Sequence, residues 1–192
     1  MTFNLMIAGV GGQGTVLASK LIAAAAMKKG FDVRTTETIG MAQRGGSVFG
    51  HVRIGESLFS PLIPMGKANA ILALEPAEAV RQLPYLRKDG TVVACDSAIK
   101  PITDLQSGTG YEASVMLNFL QTHASRLIVL DGRRLTAQNA KTLNVALLGA
   151  AAQSGLFPFD ADTLYDVLPE VLPQHILQIN LKAFELGREI CP

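Results

Sequence analysis

Short apolar runs that stop at glycine or an acid alternate along this chain with longer stretches of helical period. Residues 4–8, Asn4-Leu5-Met6-Ile7-Ala8, end at a glycine cluster and predict a buried strand followed by a tight turn. Residues 15–29 are rich in Ala, Leu and Lys and predict a helix, with Gly30 as its closing residue. Residues 31–36 predict a second strand, and the β-α-β order predicts a parallel pair with a right-handed crossover. The glycine-rich stretch at residues 39–47 fits neither period. Residues 48–54 alternate, with Val48, Gly50, Val52 and Ile54 on one side and Phe49, His51 and Arg53 on a wetter one.

Residues 58–65, with two prolines, predict a loop or an edge. Residues 68–74 predict a buried strand, and Glu75-Pro76 opens a helix where a missing N–H costs least. Lys88-Asp89-Gly90 predicts a turn before a strand at 91–95. A helix at 111–123, a strand at 126–130, an apolar helix at 139–153 and an amphipathic helix at 174–190 complete the pattern. The last shows Gln178, Lys182, Glu185 and Arg188 on its polar side. Strands alternating with helices predict an α/β fold: three α/β/α layers around a mainly parallel, open, Rossmann-like sheet.

Composition narrows the partners. A chain of 192 residues fits one domain over 1–192, and 48% hydrophobic against 17% charged residues excludes disorder. A net charge of +1 without a Lys/Arg stripe argues against nucleic acid as a partner. The start Met1-Thr2-Phe3-Asn4-Leu5 lacks a signal-peptide pattern, and the apolar stretch Leu21 to Met27 is too short to cross a bilayer. A cytoplasmic protein with no membrane partner is expected. Cys95 and Cys191 are the two cysteines, too few for a four-Cys cluster, and no His-Cys grouping suggests a metal site.

Two glycine segments carry the candidate chemistry. Gly9-Val10-Gly11-Gly12-Gln13-Gly14 fits G-x-G-x-x-G between a strand and the helix that Thr15 begins. Such a turn with a helix N-terminus behind it suits a phosphate or carboxylate, contributing roughly 0.3–2 kcal/mol per dipole contact. Alternatively the glycines only permit close helix-strand packing. A dinucleotide site would need an acid near the end of the second strand. Asp32 comes too early, and Glu37 leads straight into the second segment, Thr38 to Ser47. There, Gln43 suits orienting a polar group, and Gly45-Gly46 suits an amide nest. Arg44 suits either a fork to phosphate or carboxylate or an ion pair with Glu37. Met41 suits partner packing as well as pocket lining.

The stretch Thr38 to Ser47, placed after the second strand, resembles the gamma-type subunit or domain of 2-oxoacid:ferredoxin oxidoreductases. Residues 9–14 resemble that family's first loop, and the combination is most similar to the beta subunit of the indolepyruvate type. Asn144 to Gly149 and Asn180 to Gly187 resemble its later signatures, whereas residues 101–109 match weakly. The resemblance implies an obligate subunit of a thiamine-diphosphate-dependent enzyme that oxidatively decarboxylates a 2-oxoacid to an acyl-CoA and reduces ferredoxin. Indolepyruvate is the favoured substrate, with pyruvate or 2-oxoglutarate as alternatives. Thiamine diphosphate and iron–sulfur clusters are implied in a larger catalytic partner, and ferredoxin is reached through the complex. This chain holds no cofactor tightly and no catalytic residue. Coenzyme A is expected at the glycine segments: Gly9, Gly11, Gly12, Gln13, Gly14, Thr15, Met41, Gln43, Arg44, Gly45, Gly46 and Ser47. The competing reading is a freestanding NAD- or nucleotide-binding protein.

His51 is expected to face solvent or a partner, His123 to meet the negative end of its helix, and His175 to start the last helix. None sits in a triad pattern. Glu75, Asp96 and Asp131 fall at strand ends, where a cap or a ligand site would equally place them.

Overall fold

The structure, a computed structural model, describes residues 2–40, 45–99, 110–137 and 139–191. Six strands form one sheet: β1 (Phe3–Val10), β2 (Asp32–Ile39), β3 (Ser47–Gly55), β4 (Ala68–Ala73), β5 (Leu86–Cys95) and β6 (Arg126–Leu130). The helices are α1 (Thr15–Lys28), α2 (Pro76–Gln82), α3 (Ala113–His123), α4 (Gly132–Leu135), α5 (Leu143–Gln153), α6 (Ala161–Val171) and α7 (Gln174–Ile190).

The strand order is β2-β3-β1-β4-β5-β6. β1, β4, β5 and β6 pair in parallel, while β3 runs antiparallel to both β1 and β2. Five strands therefore share one direction, but β1 and β2 do not touch. The expected parallel pair is replaced by two co-directional strands with β3 between them. The connection from Ile39 to Ser47 is too short for a parallel crossover, so β2 and β3 form an antiparallel hairpin, and β3 is the arm of it that pairs with β1.

Both faces of the sheet are covered. On β1, Leu5 and Ile7 face the layer built by α1, α5, α6 and α7, and Met6 and Ala8 face α2 and α3. That alternation makes three layers. α1 ends as its glycine predicts: Gly30 takes φ 84°, and the Phe31 N–H donates to the Ala26 carbonyl at 3.1 Å. α5 is buried on every side from Leu143 to Ala152. It meets α7 at glycines, since a methyl on Gly149 would overlap the Phe184 carbonyl and one on Gly187 the Ala146 carbonyl. The two later family-like segments thus pack on each other.

Three local expectations are corrected. Lys88-Asp89-Gly90 lies inside β5, as an irregularity where the partner of Ala68 is Leu86 and that of Ala70 is already Thr91. Residues 161–171, for which the pattern predicts no element, form α6 despite Pro169. His51 is buried at 3% exposure rather than outward. The loop after β3 covers it, with Ile63 N–H donating to His51 Nδ1 at 3.2 Å, and the ring of Tyr85, just before β5, packs edge-on at 5.4 Å.

Candidate functional site

The chain leaves β1 toward one edge of the sheet and returns with β4 on β1's other side. The carboxyl ends of β1 and β4 therefore frame a topological switch point, where α/β sheets open a crevice. The first glycine segment turns there, with Gly12 at φ 97° and Gly14 at φ 79°, both left-handed. The turn closes on itself. Val10 N–H donates to Gln13 Oε1 at 2.8 Å, Gln13 N–H to the Val10 carbonyl at 3.1 Å, and Gln13 Nε2 to the Leu74 carbonyl at 3.0 Å. At Gly9 a Cβ would lie 2.8 Å from Gln13 Oε1 and 3.0 Å from Thr15 Cγ2, so a side chain there would push on the Gln13 carboxamide. At Gly14, a Cβ would overlap the Asn144 amide, which instead donates to the Gly14 carbonyl at 3.1 Å. Thr15 is buried behind the turn. Gly12 alone among these residues is exposed.

The second segment meets the first directly. Gly11 N–H donates to the Gly46 carbonyl at 2.8 Å, so the two stand side by side at the rim. Gly45 takes φ 70°, and Gly40 N–H donates to the Ser47 carbonyl at 2.9 Å, closing the hairpin base. Met41, Gln43 and Arg44 lie outside the described residues, and with them the choice between a ligand fork and a Glu37 pair for Arg44.

Beneath the rim opens a cavity of about 780 Å³, lined among others by Val10, Ser47, Glu75, Glu78, Tyr111 and Met116. Glu75 and Glu78, each 2% exposed, form much of its polar side. Glu75 caps α2 by accepting from Glu78 N–H at 3.0 Å, and its other oxygen accepts from the Tyr111 hydroxyl. Glu78 accepts from Ser47 Oγ at 2.5 Å and pairs with Arg81. Burial raises the Glu75 carboxyl above its ordinary range, because the charged form loses water. Burial likewise raises the Tyr111 phenol, with the Glu75 hydrogen bond adding to it. Such a lining accepts hydrogen bonds and disfavours added negative charge. The sequence singled out Glu75 through its strand-end position. Glu78 stands at the third helical residue after a cap, where an acid commonly closes a capping box. Tyr111 pairs across 36 residues of chain and had no local signal.

The other strand-end acids bind backbone amides. Asp96 accepts from Gly132 N–H at 2.7 Å, and Asp131 caps α4 by accepting from Arg133 and Arg134 N–H. His123 donates to the Phe119 carbonyl near its helix end at 2.8 Å, and His175 is exposed. Burial lowers the His51 imidazole below its ordinary range. Among the described residues no three His, Cys, Asp or Glu side chains gather as metal ligands, and no helix is long and apolar enough to cross a membrane.

Comparison with known proteins gives this geometry a setting. Residues 4–190 match the family described as pyruvate ferredoxin/flavodoxin oxidoreductase. A relative from Thermococcus kodakarensis, named indolepyruvate oxidoreductase subunit IorB, is 36% identical over 192 residues, covering 96% of this chain and 94% of that one. The fold also matches the gamma subunit of a keto/oxoacid ferredoxin oxidoreductase from Geobacter sulfurreducens, with a TM-score of 0.69 at 18% identity over 98% of both chains. A third match is 2-oxoglutarate:ferredoxin oxidoreductase from Magnetococcus marinus, TM-score 0.69 at 19% identity, covering 99% of this chain but 31% of that longer one.

Proposed function

Because the chain belongs to the pyruvate ferredoxin/flavodoxin oxidoreductase family, we propose that it is a gamma-type subunit of a 2-oxoacid:ferredoxin oxidoreductase, of the indolepyruvate type. It works as one domain over residues 1–192, in the cytoplasm. The observation that carries this reading is the rim itself. The two glycine segments of the family resemblance are joined by the Gly11–Gly46 hydrogen bond, on a chain matched from residue 4 to residue 190.

The larger partner subunit supplies the redox and decarboxylation chemistry through thiamine diphosphate and iron–sulfur clusters, and hands electrons to ferredoxin. Cys95 is buried in the core and Cys191 lies at the far end of α7, so these two thiols offer no cluster ligand set. In this reading the chain's own residues form one wall of a site that the partner completes. Coenzyme A is handled at the glycine rim. The Val10, Gly11 and Gln13 amides there are engaged within the protein, and Gly12 faces outward, where it can meet an anion. The crevice below receives uncharged parts of a ligand, because Glu75 and Glu78 line it.

Reconstitution tests this. The purified chain is mixed with the larger subunit and assayed for reduction of ferredoxin or a dye with indolepyruvate and coenzyme A. Turnover is expected only with both subunits, and faster with aryl than with alkyl 2-oxoacids. Reduction of NAD by the isolated chain with any substrate would overturn the subunit reading.

A further inference from the structure

G-x-G-x-x-G at the end of a first strand implies a dinucleotide whose diphosphate lies on the loop amides. The residues present do not fit that group. The Val10 amide is held by Gln13 Oε1, the Gln13 amide by the Val10 carbonyl and the Gly11 amide by the Gly46 carbonyl. Gln13 also reaches across to the Leu74 carbonyl, so its carboxamide fills the seam between β1 and β4. Gly46 of the second segment lies against the turn through the Gly11–Gly46 bond. The floor below holds two buried carboxylates, Glu75 and Glu78, and the cation beside them, Arg81, is already paired to Glu78. Finally, Glu37, at the spacing of a ribose-binding acid, stands opposite Gly50 on β3. It is thus two strand spacings, roughly 9–10 Å, from β1 rather than one.

We infer that the first glycine loop is a clasp closed from within at Val10, Gly11 and Gln13, in which Gln13 is a positioning residue: its carboxamide takes the Val10 amide and ties the end of β1 to the Leu74 carbonyl after β4. The loop holds neither a nicotinamide dinucleotide nor the diphosphate of coenzyme A. Its glycines serve close approach, Gly9 to Gln13 and Gly14 to Asn144. The inference deepens the site proposed for the subunit and rests on that reading only for the exclusion of coenzyme A.

The test is amide-resolved NMR on the full isolated chain, titrated with inorganic pyrophosphate, ADP and NAD to millimolar concentration, with hydrogen exchange on Gln13 variants. In the wild-type chain the Val10, Gly11 and Gln13 amides are expected to show no saturable shift. Gln13→Ala is expected to speed Val10 amide exchange by about tenfold or more, because the acceptor is gone. Gln13→Glu keeps an acceptor and is expected to restore the protection. A general loss of stability would speed exchange across β1 in both variants, whereas the clasp predicts Val10 selectively and only in Gln13→Ala. Saturable shifts at the three amides with any of the ligands, or Val10 protection unchanged in Gln13→Ala, overturn the inference. Neither result touches the subunit role, which stands or falls on partner-dependent turnover.

Discussion

The two faces of the sheet are built to different standards. On one, α1, α5, α6 and α7 stack into a deep layer in which α5 is buried all round and glycines let α5 and α7 touch backbone to backbone. On the other, α2 is seven residues long and α3 fully buries only Leu120, leaving Val115 at 55% and Phe119 at 44% exposure. The deep face packs helix backbone on helix backbone at Gly149 and Gly187, and the shallow face carries the crevice and the buried ionisable groups His51 and Glu75. Interiors at crystal-like density tolerate little change, and functional surfaces are drawn from looser parts of a fold. The chain separates the two tasks by sheet face.

The contrast can be broken hardest at the α5–α7 contact. Gly187→Ala drives a methyl into the Ala146 carbonyl and must push the helices apart. We expect a loss of about 3 kcal/mol or more in urea unfolding of the isolated chain; a loss under about 1 kcal/mol would mean the deep face yields easily. Next come matched truncations of fully buried leucines. Leu148→Ala on the deep face should cost about 3–5 kcal/mol and Leu120→Ala on the shallow face about 2, because α3 can settle into the space left. Equal costs would erase the distinction.

Titration sharpens it further. The His51 imidazole is lowered in the folded state, so the unfolded chain binds the proton more readily. His51's contribution is complete above its ordinary value of 6.5 and is lost as pH falls through the lowered one. The slope is at most about 1.4 kcal/mol per pH unit. His51→Gln keeps an acceptor for Ile63 N–H and should flatten melting temperature against pH below 6.5. Glu75, raised from 4.5, acts in the opposite sense: its contribution is full below 4.5 and lost as pH climbs through the raised value. Glu75→Ala at neutral pH removes the α2 cap and should cost about 1 kcal/mol, seen as a lower urea midpoint. The smallest effect belongs to Val115→Ser, expected to leave stability within about 0.5 kcal/mol. A larger loss would show that α3 packs more deeply than its exposure indicates.

Much of the fold was legible because local rules and tertiary structure agreed. The strand at 126–130 and the helix at 174–190 have the bounds their patterns predict, and Gly30 ends α1 with the left-handed turn its position implies. What was illegible depended on distant partners. His51 alternates onto a face that looks wet until the 58–65 loop folds over it. α6 hides behind Pro169, whose ring normally breaks a helix but sits here near its end. The short 40–46 connection signals the β2–β3 hairpin, but no local feature says that β3 rather than β2 is the arm that pairs with β1. At the site, the glycine segments were visible as motifs. Gln13's inward turn and the Tyr111–Glu75 pair were not, since both join residues far apart in sequence.

The insertion of β3 also bears on how the chain acquires its shape. β1, in the middle of the sheet, takes its neighbours from residues 47–55 and 68–73, so the first forty residues contain no strand pairing of their own. A nascent chain emerging at roughly 5–20 residues per second must carry the apolar β1 and α1 unpaired until the hairpin arm arrives. By chain order, the antiparallel ribbon on one flank of the central strand is complete before its parallel neighbour β4 has been made.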